Sequence, residues 1–506
     1  MRPLRTSTAQ DAGQHQLAWA IYPADRLTPV RAFELSRAAG RHAALLESVE
    51  GPERLASYSF VALNPDGHLR AGSASAELRL DGSAEELTLG PADALREASR
   101  RTGRRGAGAE HADLPPFRGG WIGAFSYEWA CTLEPRVPRP QVRDFDLPEA
   151  TFDHYPDVIA FDHGAQTVAI LCAAPGGEMD YGAAEGRVRT IAKELAGTPP
   201  EDQGFRLIDA EPKPSMKREE FEDGVRTLKA AIREGEIFQG VLSQRFSQRF
   251  EGDPFTLYRV LRLVNPAPHM FFFEADGMSL VGSSPERLVS VVDGRIEVVP
   301  IAGTRRRGAT PEEDAALGAE LRRDEKECAE HDMLVDLARN DAGRVAKVGT
   351  VEVEEHRTLV QFPRVQHLVS RVGADLAAGR DALDALEAAF PAGTVSGAPK
   401  VRAMTLCAEI EGRDRGAYAG AFGYLDRAGN LDMAIAIRTI VCAGGQLHVQ
   451  AGAGIVLHSD PASEFEETLT KASALFEAVK LATSPAFQPE SDPSASTASQ
   501  PQGAAQ

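Results

Sequence analysis

Apolar residues recur at steps of four and three through Phe465, Leu469, Ala472, Phe476 and Val479, the spacing that lines one face of an α-helix. Asp460 can accept from the first free N–H groups of that helix, and Pro461 suits its first position. Thr28-Pro29 opens a second helix in the same way, over residues 30–39, and Gly40 closes it. Further helices are expected over 219–234, ending at Gly235, and over 184–195, 311–346, 380–389 and 399–410. Shorter apolar runs read as strands at 43–48, 60–63, 238–250, 270–274, 279–283, 288–292 and 295–299. Asn64-Pro65-Asp66-Gly67 and Asp293-Gly294 are turns, the latter a tight hairpin. The glycines of 119–127 mark a strand that passes close to another backbone. From 418 to 457 the pattern is again strand and turn, with turns at 427–430 and 443–445. Consecutive strands joined by turns favour antiparallel pairing, so the class is α+β.

The patterned chain has polar ends. Residues 1–15 and the Ser/Pro/Gln/Ala-rich 484–506 have little to bury and are expected to be disordered. Residues 173–215, with Pro-Gly-Gly and Thr-Pro-Pro, are the best candidate linker between an N-terminal region, 16–210, and a denser region, 211–483. Composition narrows the class of partner. Among 506 residues, 74 acidic against 55 basic side chains give a net charge of −19, which argues against nucleic acid or an anionic membrane as the main partner. An anion site would need local cations or backbone N–H donors. The five scattered cysteines fit a reduced cytoplasmic protein better than a disulfide framework, and no CxxC pair suggests zinc. The N-terminus lacks the apolar core of a signal peptide, and no apolar run is long enough to span a bilayer.

Two glutamate pairs stand out, Glu327/Glu330 and Glu464/Glu467, with Lys471 a turn beyond the second. Spaced i, i+3, each pair shares a helix face. Carboxylates on two helices suit a hard cation such as Mg²⁺. Each pair taken alone more often describes a solvated acidic face. Gly452-Ala453-Gly454 could let backbone N–H groups approach a carboxylate, or simply allow close strand packing. The loop 392–400 contains glycines before a helix but lacks the GxxxxGK[ST] spacing of a nucleotide loop. Arg438 lies within an apolar run and must find a partner or face a site. His367, in a strand pattern, could be a core residue or a catalyst, and Glu286, at a turn after a strand, could be merely exposed.

Several segments together resemble the chorismate-utilising enzymes, and among them anthranilate synthase component I. They are Ile237-Phe238-Gln239 with Leu242-Ser243-Gln244-Arg245-Phe246; Ser284-Pro285-Glu286; Pro300-Ile301-Ala302-Gly303-Thr304-Arg305; Glu330-His331 with Leu334-Val335-Asp336-Leu337-Ala338-Arg339-Asn340-Asp341; Phe390-Pro391-Ala392-Gly393-Thr394; and Gly452-Ala453-Gly454-Ile455-Val456. They stand in family order over about residues 215–482, with a looser match through Leu45-Leu46-Glu47-Ser48 and Tyr58-Ser59-Phe60.

The resemblance implies two intertwined α+β parts around large antiparallel sheets flanked by helices, with the site in a cleft. It implies that Glu330 and Glu467 ligate Mg²⁺, with Glu327 and Glu464 close by, and that the ion holds the ring carboxylate of chorismate. Arg438, Tyr418 and the amides of Gly452, Ala453 and Gly454 would hold the enolpyruvyl carboxylate, with Gly303, Thr304 and Lys471 also at the substrate. Glu286 matches the family's general acid, His367 the histidine of the pyruvate-eliminating half, and Thr394 an orienting group. Aminodeoxychorismate synthases of the common type carry a lysine where this chain has Ala302. Isochorismate and salicylate synthases carry one where it has Gln239. Without either, the resemblance favours ammonia as nucleophile and anthranilate as product.

No cysteine sits in a glutaminase elbow, so a separate glutamine amidotransferase subunit, component II, is implied as the ammonia source and partner in a hetero-oligomer. Glu47-Ser48 and Asn265-Pro266-Ala267-Pro268-His269-Met270 match the two segments that bind tryptophan as feedback inhibitor, with Glu47, Ser48, Pro268, His269 and Met270 at the ligand. Here the family's usual tyrosine is His269, and Gly240 replaces a usual valine.

Overall fold

Two antiparallel sheets carry the molecule, of 14 and 12 strands. The computed structural model describes residues 2–8, 10, 16–49, 58–103, 114–144, 146–174, 179–201, 203–361 and 365–489. The first sheet runs through Leu17–Pro23, Thr167–Ala173, Asp157–Asp162, Tyr58–Leu63, Ala43–Glu47, His269–Ala275, Met278–Ser284, Thr439–Ala443, Gln446–Ile455 and Gln239–Gly252. The second runs through Ile301–Arg306, Val365–Asp375, Arg295–Val298, Arg287–Val292, Leu431–Ile435, Ala421–Asp426, Gly120–Phe125, Ala150–Tyr155, Gly67–Ala71, Ala76–Leu80 and Ser83–Leu87.

Both sheets draw on both halves of the chain. In the first, Ala43–Glu47 pairs with His269–Ala275, placing Glu47 opposite Met270. In the second, Gly120–Phe125 pairs with Ala421–Asp426. The regions 16–210 and 211–483 are therefore interleaved around shared sheets, an α+β architecture.

The sheets face each other across an aromatic core. Phe271 of the first stacks on Phe422 of the second, with ring centroids 3.9 Å apart. Trp19, Phe60 and Leu280 meet Ile122 and Tyr155 in the same layer. Helices bury the outer faces. Phe33, Val188, Leu257 and Leu475 cover the first sheet from helices Pro29–Ala38, Tyr181–Glu194, Pro254–Val264 and Pro461–Ala482. Leu95, Trp129 and Leu386 cover the second from Pro91–Arg101, Trp129–Leu133 and Ala382–Ala389. None of the described helices is long and apolar enough to cross a membrane.

The local signals act as expected where they are self-contained. Thr28 Oγ1 accepts from Arg31 N at 3.2 Å, and Asp460 Oδ1 accepts from Ser463 N at 3.0 Å. Asp293 and Gly294 take the positive φ values, 49° and 78°, that a tight hairpin requires. A Cβ on Gly123 would lie 2.0 Å from the carbonyl oxygen of Thr151, which explains the glycine in that strand.

Other expectations change. The helix expected over 311–346 is two, Pro311–Arg323 and Glu325–Gly343. Asp324 turns its carboxylate to the amides of Lys326 and Glu327, each at 3.1 Å, and so caps the second helix instead of continuing the first. In the strand-and-turn stretch 418–457, the strand Gln446–Ile455 runs on through the glycines 452 and 454. In the polar stretch 1–15, Arg5–Thr6 pairs with Ala20 and Ile21; residues 1, 9 and 11–15 lie outside the described residues. In the expected tail, Pro485–Phe487 forms a helical turn and Gln488 Nε2 donates to Phe205 O at 2.7 Å; 490–506 lie outside the described residues. The expected linker contributes an edge strand, Phe205–Leu207, to the first sheet.

Candidate active site

Glu286 sits where a strand is forced to end. Pro285 has no N–H to donate beyond Met278–Ser284. The backbone of Glu286 is then pinned, its carbonyl accepting from Ile435 N at 3.0 Å and its N–H reaching Ser284 Oγ at 3.3 Å. Thr394 Oγ1 donates to Glu286 Oε1 at 3.1 Å. Burial drives the Glu286 carboxyl up to about 7, and the Thr394 hydrogen bond opposes that rise. Thr394 comes from the one-turn helix Gly393–Ser396. A Cβ on Gly393 would lie 2.0 Å from Leu337 Cδ2, so glycine lets this turn press against helix Glu325–Gly343.

His367 lies on Val365–Asp375 opposite Thr304, where the pairing slips between Ala302 and Thr304. Gly303, at φ 69°, absorbs the slip. Its carbonyl lies 2.9 Å from His367 Nδ1, and Thr304 Oγ1 lies 3.1 Å from the same nitrogen. A carbonyl only accepts, so Nδ1 carries the proton and Nε2 the lone pair. Burial and the positive charge of Arg438 lower the His367 pKa and favour the neutral imidazole; the Gly303 hydrogen bond works against them.

Arg438 reaches into the same space. Its Nη1 donates to Asn265 Oδ1 at 3.3 Å. Among the described residues no carboxylate stands within ion-pair distance of it. Water reaches the guanidinium, but the surrounding protein desolvates it enough to lower its pKa. A cation in that setting is built to meet an anion.

The edge beside it is open. Thr439–Ala443 pairs with Gln446–Ile455 only as far as Val449. On the other side, Gly452 stands opposite Ser243 and Gly454 opposite Val241. Ser243 N donates to Glu411 Oε1 at 2.8 Å, and Val241 O accepts from Arg415 Nη2 at 2.7 Å, so neither group points at the glycines. These are non-hydrogen-bonded pairs, and the peptide groups of Gly452 and Gly454 therefore face the open edge. Lys471 Nζ donates to Gly452 O there, at 3.1 Å. Ala453 corrects the expectation of three convergent amides: its peptide groups turn to Leu242, and its methyl is buried. A Cβ on Gly452 would lie 2.8 Å from the Tyr418 hydroxyl, so Tyr418 packs against this strand. Burial raises that phenol to about 12.

Together these groups bound a cavity of about 920 Å³. Glu286, Gly303, Thr304, His367, Thr394, Arg438, Gly454 and Lys471 line it, with Gln239 and Asn265. Glu330 enters from helix Glu325–Gly343, and Glu464 and Glu467 from Pro461–Ala482. Tyr418, Gly452, Ala453 and Glu327 lie behind this lining. Glu327 is held under Gly303 by Arg305 Nη1 at 3.3 Å. Lys471 Nζ stands 2.7 Å from Glu467 Oε1. Burial raises the Glu464 pKa, and the negative charge of Glu467 adds to the rise.

Among the described residues no three His, Cys, Asp or Glu side chains gather closely enough to hold a metal alone. The donors present still fit Mg²⁺. They are hard oxygens from two helices on one cleft, Glu464 near enough to Glu467 to feel its charge, and Mg²⁺ takes few protein carboxylates while keeping water and substrate oxygens.

A second cavity, of about 240 Å³, collects Glu47, Ser48, Pro268, His269 and Met270, with Arg287 and Asp432. Tyr258 and Arg262 donate to the Glu47 carboxylate at 2.6 and 3.0 Å. Burial lowers His269 to about 4, so its ring is neutral.

Sequence reasoning missed Asn265 as the partner of Arg438, and the buried Glu411–Arg415 pair that pins Ser243 and Val241. An Asn at the end of a helix carries no signal of that contact, and an i, i+4 Glu–Arg pair does not show which strand it pins.

The model of the chorismate binding enzyme family matches residues 41–477. The chain belongs to that family. Within it the chain is 42% identical, over 475 residues, to anthranilate synthase component 1 of Aquifex aeolicus, covering 90% of this chain and 93% of the relative. It is 42% identical over 466 residues to the protein of that name from Pseudomonas aeruginosa, covering 91% and 94%. The crystal structure of anthranilate synthase component I from Streptococcus pneumoniae superposes with a TM-score of 0.74 at 38% identity, covering 83% of this chain and 92% of that one. The menaquinone-specific isochorismate synthase MenF of Escherichia coli shares the fold, with a TM-score of 0.67 at 18% identity, over 93% of this chain and 100% of that one.

Proposed function

We propose that this member of the chorismate-binding enzymes converts chorismate and ammonia to anthranilate and pyruvate, as a Mg²⁺-dependent lyase in the route to tryptophan. The observation that carries the reading is the pairing, on one cleft, of a carboxyl held at about 7 with a histidine held neutral. Two titratable groups pushed apart in this way suit one acid step and one base step.

Arg438 and the outward amides of Gly452 and Gly454 hold the enolpyruvyl carboxylate. Glu330 and Glu467 would hold Mg²⁺, with Glu464 beside them, and the bound ion would neutralise the ring carboxylate. Glu286, oriented by Thr394, gives its proton to the 4-hydroxyl as that group leaves and ammonia bonds to C2. In the second half Nε2 of His367 takes the C2 proton while the C3–O bond breaks and enolpyruvate departs to become pyruvate. Gln239 lines the cleft where a lysine would be needed to activate water. Ala302, also on the lining, offers no amine for a covalent adduct.

Ammonia comes from a separate glutaminase subunit, in keeping with relatives named component 1. The second cavity takes tryptophan as an inhibitor. The reading is tested with purified chain, chorismate, Mg²⁺ and an ammonium salt in a buffer alkaline enough to free ammonia. Growth of anthranilate fluorescence supports it. Chorismate binding without turnover would point to a non-catalytic homologue.

A further inference from the structure

We propose that Asn265 is a positioning residue that aims Arg438 at the substrate, and that it links the second cavity to the cleft. The inference rests on the reading of Arg438 as a carboxylate anchor and of the second cavity as an effector site.

Asn265 terminates helix Pro254–Val264, its N–H donating to Leu261 O at 2.8 Å. Its side chain closes a ring of three residues. Oδ1 accepts from Arg438 Nη1 at 3.3 Å, and Nδ2 donates to Ser283 Oγ at 2.9 Å. Ser283 Oγ donates in turn to Asn265 O, and Ser283 N donates to Arg438 O at 3.1 Å. The assignment has one solution. A guanidinium only donates, so the amide oxygen must face Arg438, and the amide nitrogen then meets the Ser283 lone pair. Arg438 sits at φ 49°, a left-handed conformation that a long side chain rarely adopts. Its aim is therefore set by these hydrogen bonds rather than by backbone preference.

The other end of the segment lies elsewhere. Asn265 and Pro266 line the cleft, while Pro268, His269 and Met270 line the second cavity. The two prolines stiffen the span. Val49 N donates to Ala267 O at 3.2 Å, tying the span to the segment after Ser48. Met270 is the register partner of both Glu47 and Ser283. A ligand that displaces Met270 thus acts on the serine that closes the ring at Arg438.

The test is steady-state kinetics of the full chain with ammonium salt, varying chorismate, with melting curves to show that each variant folds. Asn265→Ala should raise the chorismate KM about tenfold, the size of one lost hydrogen bond to a charged group, with kcat within about threefold. Asn265→Asp should raise it further, because its carboxylate occupies the guanidinium. In an Arg438→Gln background the Asn265→Ala change should add nothing to KM, the non-additivity of residues acting as a unit. Tryptophan should raise the KM of wild type by a larger factor than that of Asn265→Ala. Wild-type KM in Asn265→Ala, additive effects in the double variant, or equal factors with tryptophan would overturn the proposal. Wild-type KM in Arg438→Gln would instead overturn the reading of Arg438 and the proposal with it. Failure of wild type to bind tryptophan would do the same for the second cavity.

Discussion

Thr394 Oγ1 donates to Glu286 Oε1 across 3.1 Å, and the carboxyl it touches is held at about 7 rather than 4.5. Burial raises that pKa, while the Thr394 hydrogen bond favours the ionised form and restrains the rise. In the proposed role of general acid Glu286 works protonated, so kcat at constant free ammonia should fall as pH rises through about 7. Thr394→Val removes the restraint and should move that limb upward in pH. Glu286→Gln should lower kcat by about 10²–10⁴-fold. Stability follows the same sign. A folded pKa raised above the unfolded value gives stability that is complete below 4.5 and lost as pH rises through 7. Glu286→Gln should therefore melt higher than wild type at pH values above 7, relative to acid pH. A pH–rate profile identical in Thr394→Val and wild type would count against the pairing.

Arg438 should govern binding more than turnover. Its guanidinium stands in the cleft with an amide oxygen for a side-chain partner. Arg438→Gln should raise the chorismate KM by about 10- to 100-fold, the equivalent of ~1.5–3 kcal/mol for a hydrogen bond to a charged group, with a smaller change in kcat. Initial-rate measurements over a range of chorismate separate the two.

What the sequence disclosed was local. Thr28-Pro29, Asp460-Pro461 and Asp293-Gly294 each state a cap or turn in adjacent residues, and each is found. Asp324 misled because it is polar inside a helical pattern, and only the break reveals it as a cap. Met270 opposite Glu47 could not be read, since that register joins distant segments of the chain. The same holds at the site. His367 and Arg438 are visible as residues at odds with an apolar strand, whereas Glu286 at its turn stands out only through the family resemblance. The alternation that turns Gly452 and Gly454 outward but Ala453 inward depends on which neighbouring strand ends first.

The acidic side of the cleft should report Mg²⁺ directly. Glu467→Ala removes one carboxylate from the acidic side of the cleft and releases Lys471 from its 2.7 Å contact. Affinity for Mg²⁺, or for Mn²⁺ as a spectroscopic stand-in, should fall about 10- to 100-fold in calorimetric or resonance titrations, while the melting temperature stays near wild type. Wild-type metal affinity in Glu467→Ala would remove this residue from the metal's ligands.

The second cavity should bind tryptophan without a protonation step. His269 at about 4 stays neutral across pH 6–9, so inhibition should not follow its titration. Ser48→Ala should weaken inhibition without altering uninhibited kcat, by about tenfold for a hydrogen bond to a charged ligand. Superimposable inhibition curves for Ser48→Ala and wild type would detach the effect from this cavity.

The central claim is that ammonia, not water and not a lysine, is the nucleophile that meets chorismate here. Incubating the purified chain with chorismate, Mg²⁺ and ¹⁵N-ammonium salt, then resolving products by mass spectrometry, measures this directly. The expected result is ¹⁵N-anthranilate with an equal amount of pyruvate. Isochorismate or aminodeoxychorismate as the stable product, or chorismate returned intact, would contradict it.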